Sequence, residues 1–310
     1  RDREMCNIVR ATVTGDYSLL GAGVHTMPDG TVMATSSMHV MPDGTMMSNT
    51  EGMHVMPDGT MMADAEMQAL GPAPAPRELD PFIASLCSAI EAAQTTEITA
   101  MEGWLSDRGL VAEAPCLPEE APEGGGGMEM MMGCGQTDCT STSMYMAENM
   151  AMHQGMAIEF TGDPEIDFVL GMIPHHEGAV EMCDIARQTS GTPNGRGGEN
   201  IPALDTFIDT LCTDVETGQN AEIQSMTDWL ATKGVSASTT CEGSDSQRVV
   251  MGMVMGCGET GSISSQLFMS ENMAMHHGMA IDFTCDPGVD FIRGMIPHHR
   301  GAVEMLSLIH

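Results

Sequence analysis

Apolar positions recur at helical spacing over two long stretches of this chain. In residues 204–235, Leu204, Phe207, Ile208, Leu211 and Val215 follow the i, i+3, i+4, i+7 rhythm of one helix face. The face runs on through Ile223, Met226 and Leu230, and Gly234 is the expected C-terminal cap. The same order of apolar and polar positions fills 79–111: LDPFIASLCSAIEAAQTTEITAMEGWLSDRGLV against LDTFIDTLCTDVETGQNAEIQSMTDWLATKGV. A second pair matches as closely. MAENMAMHQGMAIEF and GMIPHHEGAVEM, within 146–182, return as MSENMAMHHGMAIDF and GMIPHHRGAVEM within 269–305. The offset between copies is 123 to 125 residues. Asp163-Pro164 and Asp286-Pro287 read as an N-cap followed by a first-turn proline. Pro174 and Pro297 fall inside helical patterns, which predicts a kink before each His pair.

A different, shorter rhythm occupies residues 25–62. HTMPDGTVM starts at His25, and HVMPDGTMM starts at His39 and again at His54. Pro-Asp-Gly between β-prone arms signals a turn, so three small hairpins are expected. Breaks rich in Pro, Gly, Ser or polar residues fall at Gly71–Pro76, Pro118–Gly127, Thr189–Asn200 and Glu242–Arg248. The layout predicted is a mainly α chain of repeated helical modules behind an N-terminal array of short β-hairpins. Its parts are hairpins in 1–70, a half module in 79–116, a complete module in 128–241 and a second half module in 250–310.

Composition narrows the function. The chain of 310 residues has 34 Met, and its 44 Asp plus Glu against 11 Lys plus Arg give a net charge of −33. Such a surface excludes nucleic acid, disfavours anionic membranes and attracts cations. No apolar run approaches the roughly 18 residues of a spanning helix. Several of the ten Cys recur at equal spacing without any C-x-x-C, which suggests disulfides in an oxidising compartment, secreted or periplasmic.

The chemistry lies with His and Met. Ten of the 11 His stand within four residues of a Met. On one helical stripe are Met146, Met150, Met152, His153 and Met156, followed by Met172, His175, His176 and Met182. The copy has Met269, Met273, Met275, His276, His277 and Met279, followed by Met295, His298, His299 and Met305. Each hairpin offers an NS₂ set by strand alternation and fold-back: His25, Met27 and Met33; His39, Met41 and Met47; His54, Met56 and Met62. Thioethers with imidazoles select Cu(I), with Ag(I) as surrogate, over zinc or calcium. The competing reading is packing: Met fills a core short of aromatics, and that reading is preferred for Met101 and Met226. Met128, Met130, Met131, Met132 and, in the copy, Met251, Met253 and Met255 form a weaker M-x-M pattern. Acidic residues look scattered, as on a solvated surface, and no nucleophile–base pair or phosphate loop points to an enzyme.

M-A-M-H-x-G-M, then G-M-I-P-H-H-x-G-A-V-E-M, then A-E-I-x-x-M-x-x-W-L resembles the DUF305 family of secreted, mainly bacterial proteins. The resemblance covers 79–111 and 144–310, and only 144–235 holds every part in the usual order. It implies a compact ferritin-like helical bundle that binds copper through Met and His and serves copper tolerance. The H-x-M-P-D-G-T-x-M units resemble hairpins that accompany such domains. His276-His277 stands where the first copy has His153-Gln154, so the copies differ in donors. The expectation is extracellular Cu(I) binding for sequestration, storage or tolerance. The alternative is a structural subunit of an extracellular filament that also binds copper. Because 79–111 and 269–310 look like complementary half modules, three arrangements follow: head-to-tail assembly, a sequence cut short, or closure within the chain.

Overall fold

The computed structural model describes residues 4–15, 76–112, 133–192, 202–238, 241, 247–250 and 253–303, together with the short strands between 24 and 72. Among these residues the protein is mainly helical. The helices are α1 (Glu4–Thr14), α2 (Pro81–Asp107), α3 (Thr140–Gly155), α4 (Pro164–Thr189), α5 (Thr206–Lys233), α6 (Ile263–Gly278) and α7 (Pro287–Val303). The expected caps are present: Asp163 and Asp286 each accept a backbone N–H in the first turn of their helix, and Gly234 ends α5 with φ +73°. Asp80 and Asp205 cap α2 and α5 in the same way. α4 and α7 continue through Pro174 and Pro297.

The helices fall into two equivalent sets, α3–α4–α5 and α6–α7–α2, that clasp one another reciprocally. The long repeat pair, α2 and α5, shows it first. Phe82 stacks on Trp229 at 5.7 Å, and Trp104 on Phe207 at 6.4 Å. Lys233 lies over Trp229 and bonds the α2 cap Asp80 at 3.0 Å, while Arg108 lies over Trp104 and bonds the α5 cap Asp205 at 2.8 Å. α2 also packs on α7 of the same chain, through Glu97–His299 and Glu102–Arg300. Among the described residues, the two half modules thus pack on one another within the chain.

Two short parallel pairings extend the exchange. β8 (Cys134–Gly135) of the first copy lies on β12 (Asp282–Phe283) of the second, and β11 (Met253–Gly258) of the second, itself paired antiparallel with β10 (Arg248–Val250), on β9 (Glu159–Phe160) of the first. The approach is close. A Cβ on Gly256, whose φ is +149°, would stand 2.4 Å from the Phe160 ring, so only glycine fits there. Disulfides join Cys6 to Cys87, Cys139 to Cys285, Cys183 to Cys212 and Cys241 to Cys257, and Cys134 is also bonded.

Toward the N-terminus, β1 (Val24–Thr26) pairs with β2 (Thr31–Ala34), β3 (Met38–Val40) with β4 (Met46–Ser48), and β5 (Met53–Val55) with β6 (Met61–Ala63). The registers set His25 opposite Met33, His39 opposite Met47 and His54 opposite Met62. β7 (Gln68–Pro72) adds to β2. Met27, Met41 and Met56 lie outside the described residues.

Candidate metal centre

Seven histidines reach the interior of the clasp: His153 from α3, His175 and His176 from α4, His276 and His277 from α6, and His298 and His299 from α7. All but half-buried His277 are at most 1% exposed. The rings of His175 and His298 meet across the copies at 3.9 Å between centroids, and those of His153 and His276 at 4.7 Å, each pair tilted by 35°. The cause is reciprocity: each element that carries a histidine meets its own counterpart.

The bonds around these rings fix where each proton sits. His175 Nε2–H donates to the backbone carbonyl of His298 at 3.2 Å, and His298 Nε2–H returns the bond to His175 at 3.0 Å. A carbonyl only accepts, so the tautomer is forced. His176 Nε2–H donates to Glu222 at 2.7 Å, and His299 Nε2–H to Glu97 at 2.6 Å. In the other pair, Asn149 Nδ2 donates to the His276 carbonyl and Asn272 Nδ2 to the His153 carbonyl. That turns each Asn oxygen to a ring, so Nδ1–H of His276 and of His153 donates at 3.0 and 3.1 Å.

Each of these six rings therefore spends one nitrogen on these bonds and turns the other into the protein. His175 Nδ1, His176 Nδ1, His153 Nε2 and His276 Nε2 are buried without a hydrogen-bond partner, as is His277 Nδ1. Nδ1 of His298 faces Nδ1 of His299 at 3.4 Å, the one ring nitrogen pair to meet directly among the described hydrogen bonds. Two nitrogens each about 2.0–2.1 Å from a shared ion at a tetrahedral angle would stand about that far apart. Burial, then neighbouring histidines, pushes the His175 and His298 pKa values well below the usual imidazole range, and burial above all lowers His276 to about 4. Neutral rings are what a metal requires.

Thioethers stand beside the pairs. The Met152 sulfur packs where a Cβ on Gly178 would be, 2.7 Å away, and Gly178 shares a helix face with His175 three residues before it. Met275 sits on Gly301 in the same way, at 3.0 Å, beside His298. Met156, Met172, Met182, Met269, Met279 and Met295 are buried, while Met146, Met150 and Met273 are partly buried. Met182 and Met279, from different copies, line one small cleft. Met305 lies outside the described residues, as do Met128, Met130, Met131, Met132 and Met251. Met101 and Met226 are wholly buried core residues, and Met255 is buried in β11.

Among the described residues, only Asp138, Cys139 and Cys285 bring three His, Cys, Asp or Glu donors within reach of one ion. The two sulfurs of that group are already bonded to each other, so it holds no metal. Each His pair thus supplies two nitrogens, and the further donor at hand is sulfur. Sequence reading missed the groups that orient the rings: Asn149, Asn272, Glu97 and Glu222. It also missed Gln94 and Gln219, buried one turn before Glu97 and Glu222 with neither amide atom bonded. The signal was present, since each of these residues recurs at its equivalent position in the two copies.

Comparison with known proteins bears on family alone. A search of curated proteins returned no match, and neither did a search of solved structures. The family model described as Domain of unknown function (DUF305) matches residues 73–197 and 200–310, so the chain belongs to that family and carries two copies of it.

Proposed function

We propose that this chain binds copper as Cu(I), outside the reducing cytoplasm, for sequestration, storage or tolerance rather than catalysis. The observation that carries the reading is the set of tautomer-locked histidines with buried, unbonded nitrogens beside thioethers. A carboxylate or carbonyl behind the distal ring nitrogen is the usual support of a metal-bound imidazole. Two nitrogens plus sulfur, without a third nitrogen or oxygen, suits a soft monovalent ion better than zinc. The copies form a ferritin-like bundle around two such half sites, one at His175, His176 and Met152 and the other at His298, His299 and Met275. The array of His–Met hairpins adds NS₂ sites at its own end of the chain. The disulfides, and the absence of any described helix long and apolar enough to cross a membrane, agree with a secreted or periplasmic setting.

Anaerobic Cu(I) titration followed by native mass spectrometry tests the reading. His175→Ala/His176→Ala should bind fewer Cu(I) ions than wild type while its helical circular dichroism is retained. Full uptake by that variant, with helicity intact, would show that water or nothing occupies the unbonded nitrogens.

A further inference from the structure

We infer a separate soft-cation site, one per chain, formed by Asp290 of α7 with the thioethers of Met182 and Met279. The argument starts from a difference between the copies. In the first copy Asp167 uses both oxygens: Oδ1 accepts from Thr161 N–H and Oγ1–H, each at 2.7 Å, and Oδ2 from Gly162 N–H at 3.1 Å. Asp290 repeats the first half only. Its Oδ1 accepts from Thr284 N–H and Oγ1–H, each at 2.8 Å, but its Oδ2 is buried with no hydrogen-bond partner. The position of Gly162 is held in this copy by Cys285, at φ +64° and disulfide-bonded to Cys139. Asp290 is 1% exposed, so its free oxygen is an acceptor that solvent does not satisfy.

Asp290 lines a cleft with Tyr145, Asn149, Met182 and Met279, and the void has room for about one atom-sized guest. Gly294 helps to keep it open: Met182 Cε lies 3.0 Å from where a Cβ at that position would stand. Tyr145 O–H is already spent on the Pro287 carbonyl, and the Asn149 oxygen on His276. The groups left are one carboxylate oxygen and two thioethers. Sulfur is a poor partner for water and a good one for Cu(I) or Ag(I). A monovalent ion also cancels the carboxylate charge, whereas a divalent one would leave a net buried charge.

The half sites proposed above draw their sulfur from Met152 and Met275, whereas Met182 and Met279 line this cleft instead, so the two readings stand or fall separately. The test uses the full disulfide-bonded chain with ¹³C-methyl methionine and Ag(I) as probe. The Met182 and Met279 methyl signals should shift together. Asp290→Asn keeps the Thr284 bonds but loses the charge; it should abolish that shift and hold one Ag(I) fewer by native mass spectrometry, with the Met152 and Met275 signals responding as before. Met182→Leu, which conserves packing volume, should lose the same one ion and decides the matter if Asp290→Asn fails to fold. Met182 and Met279 signals unmoved at saturating Ag(I), or moved alike in wild type and Asp290→Asn, or an unchanged ion count in the folded variants, would each overturn the site.

Discussion

His175 and His298, 123 residues apart, each donate Nε2–H to the other's backbone carbonyl, at 3.2 and 3.0 Å. One bond alone would orient one ring. The exchange orients both and leaves both Nδ1 atoms for another partner, so the geometry of the centre belongs to neither copy by itself.

Glu222 is expected to act through His176, not on the metal. Glu222→Gln replaces a charged acceptor by a neutral one at 2.7 Å from Nε2. Loss of such support typically costs about 10–100-fold in metal affinity. Competition for Cu(I) against a chromophoric chelator should show a fall of that order with no change in ion count. Equal affinity would mean that the Glu222–His176 bond is structural only.

Gly178 is expected to tolerate no side chain. An added Cβ would lie 2.7 Å from the Met152 sulfur, 3.0 Å from its Cγ and 3.3 Å from its Cβ. Since Met152 is 3% exposed, its whole side chain would have to move within a packed interior. Overpacking of this kind costs about 1–3 kcal/mol, partly offset by roughly 1 kcal/mol of helix propensity. Gly103, also mid-helix, has nothing within 4 Å of its added Cβ. Gly103→Ala should therefore stabilise by about 0.5–1 kcal/mol. Denaturant melts of the two variants should move in opposite directions, and a shared direction would contradict the packing described at α3 and α4.

Glu148 predicts a loss of stability with rising pH. Burial first, and the charges of Glu181 and Glu177 next, raise its pKa from 4.5 to about 7. The folded state therefore holds this proton more tightly than the unfolded state. Its contribution is complete below about pH 4.5 and is lost as pH rises through 7. His276, lowered to about 4, works the other way and costs stability as pH falls below 6.5. Comparing wild type with Glu148→Gln isolates the carboxyl: in the metal-free protein, the variant should melt higher at pH 8 and gain less, or nothing, at pH 4.5. An equal difference at both pH values would place Glu148 in solvent.

The hairpins should bind independently of the bundle. Replacing His25, His39 and His54 by Ala in the full chain should lower Cu(I) uptake by up to three ions, one for each hairpin. The response of the bundle histidines, followed by ring-proton NMR, should be unaffected. Undiminished uptake would leave the methionines opposite those histidines as packing residues.

Much of this was legible along the chain, and the illegible part has a common cause. Helical spacing located the long helices, and the caps at Asp163 and Gly234 followed from residue type alone. The His pairs stood out because they recur intact. What periodicity did not convey was which face meets which. Asn149 and Asn272 read as polar helix residues, yet each clamps a histidine of the other copy across 127 and 119 residues. Glu97 and Glu222 merged with a surplus of surface acid, since a hydrogen bond to a ring 202 or 46 residues away leaves no local trace. The half modules looked incomplete for the same reason: each is completed by a segment far along the chain.

Two identical subunits must alter both faces of a shared interface with every substitution. Here both faces are written in one polypeptide, and each letter can change alone. Tyr145 corresponds to Phe268, Gln154 to His277 and Gly162 to Cys285 at matching places in the two copies. Twinning within a chain thus turns a symmetric vessel into one with a left and a right side, free to specialise while the joint between them stays matched.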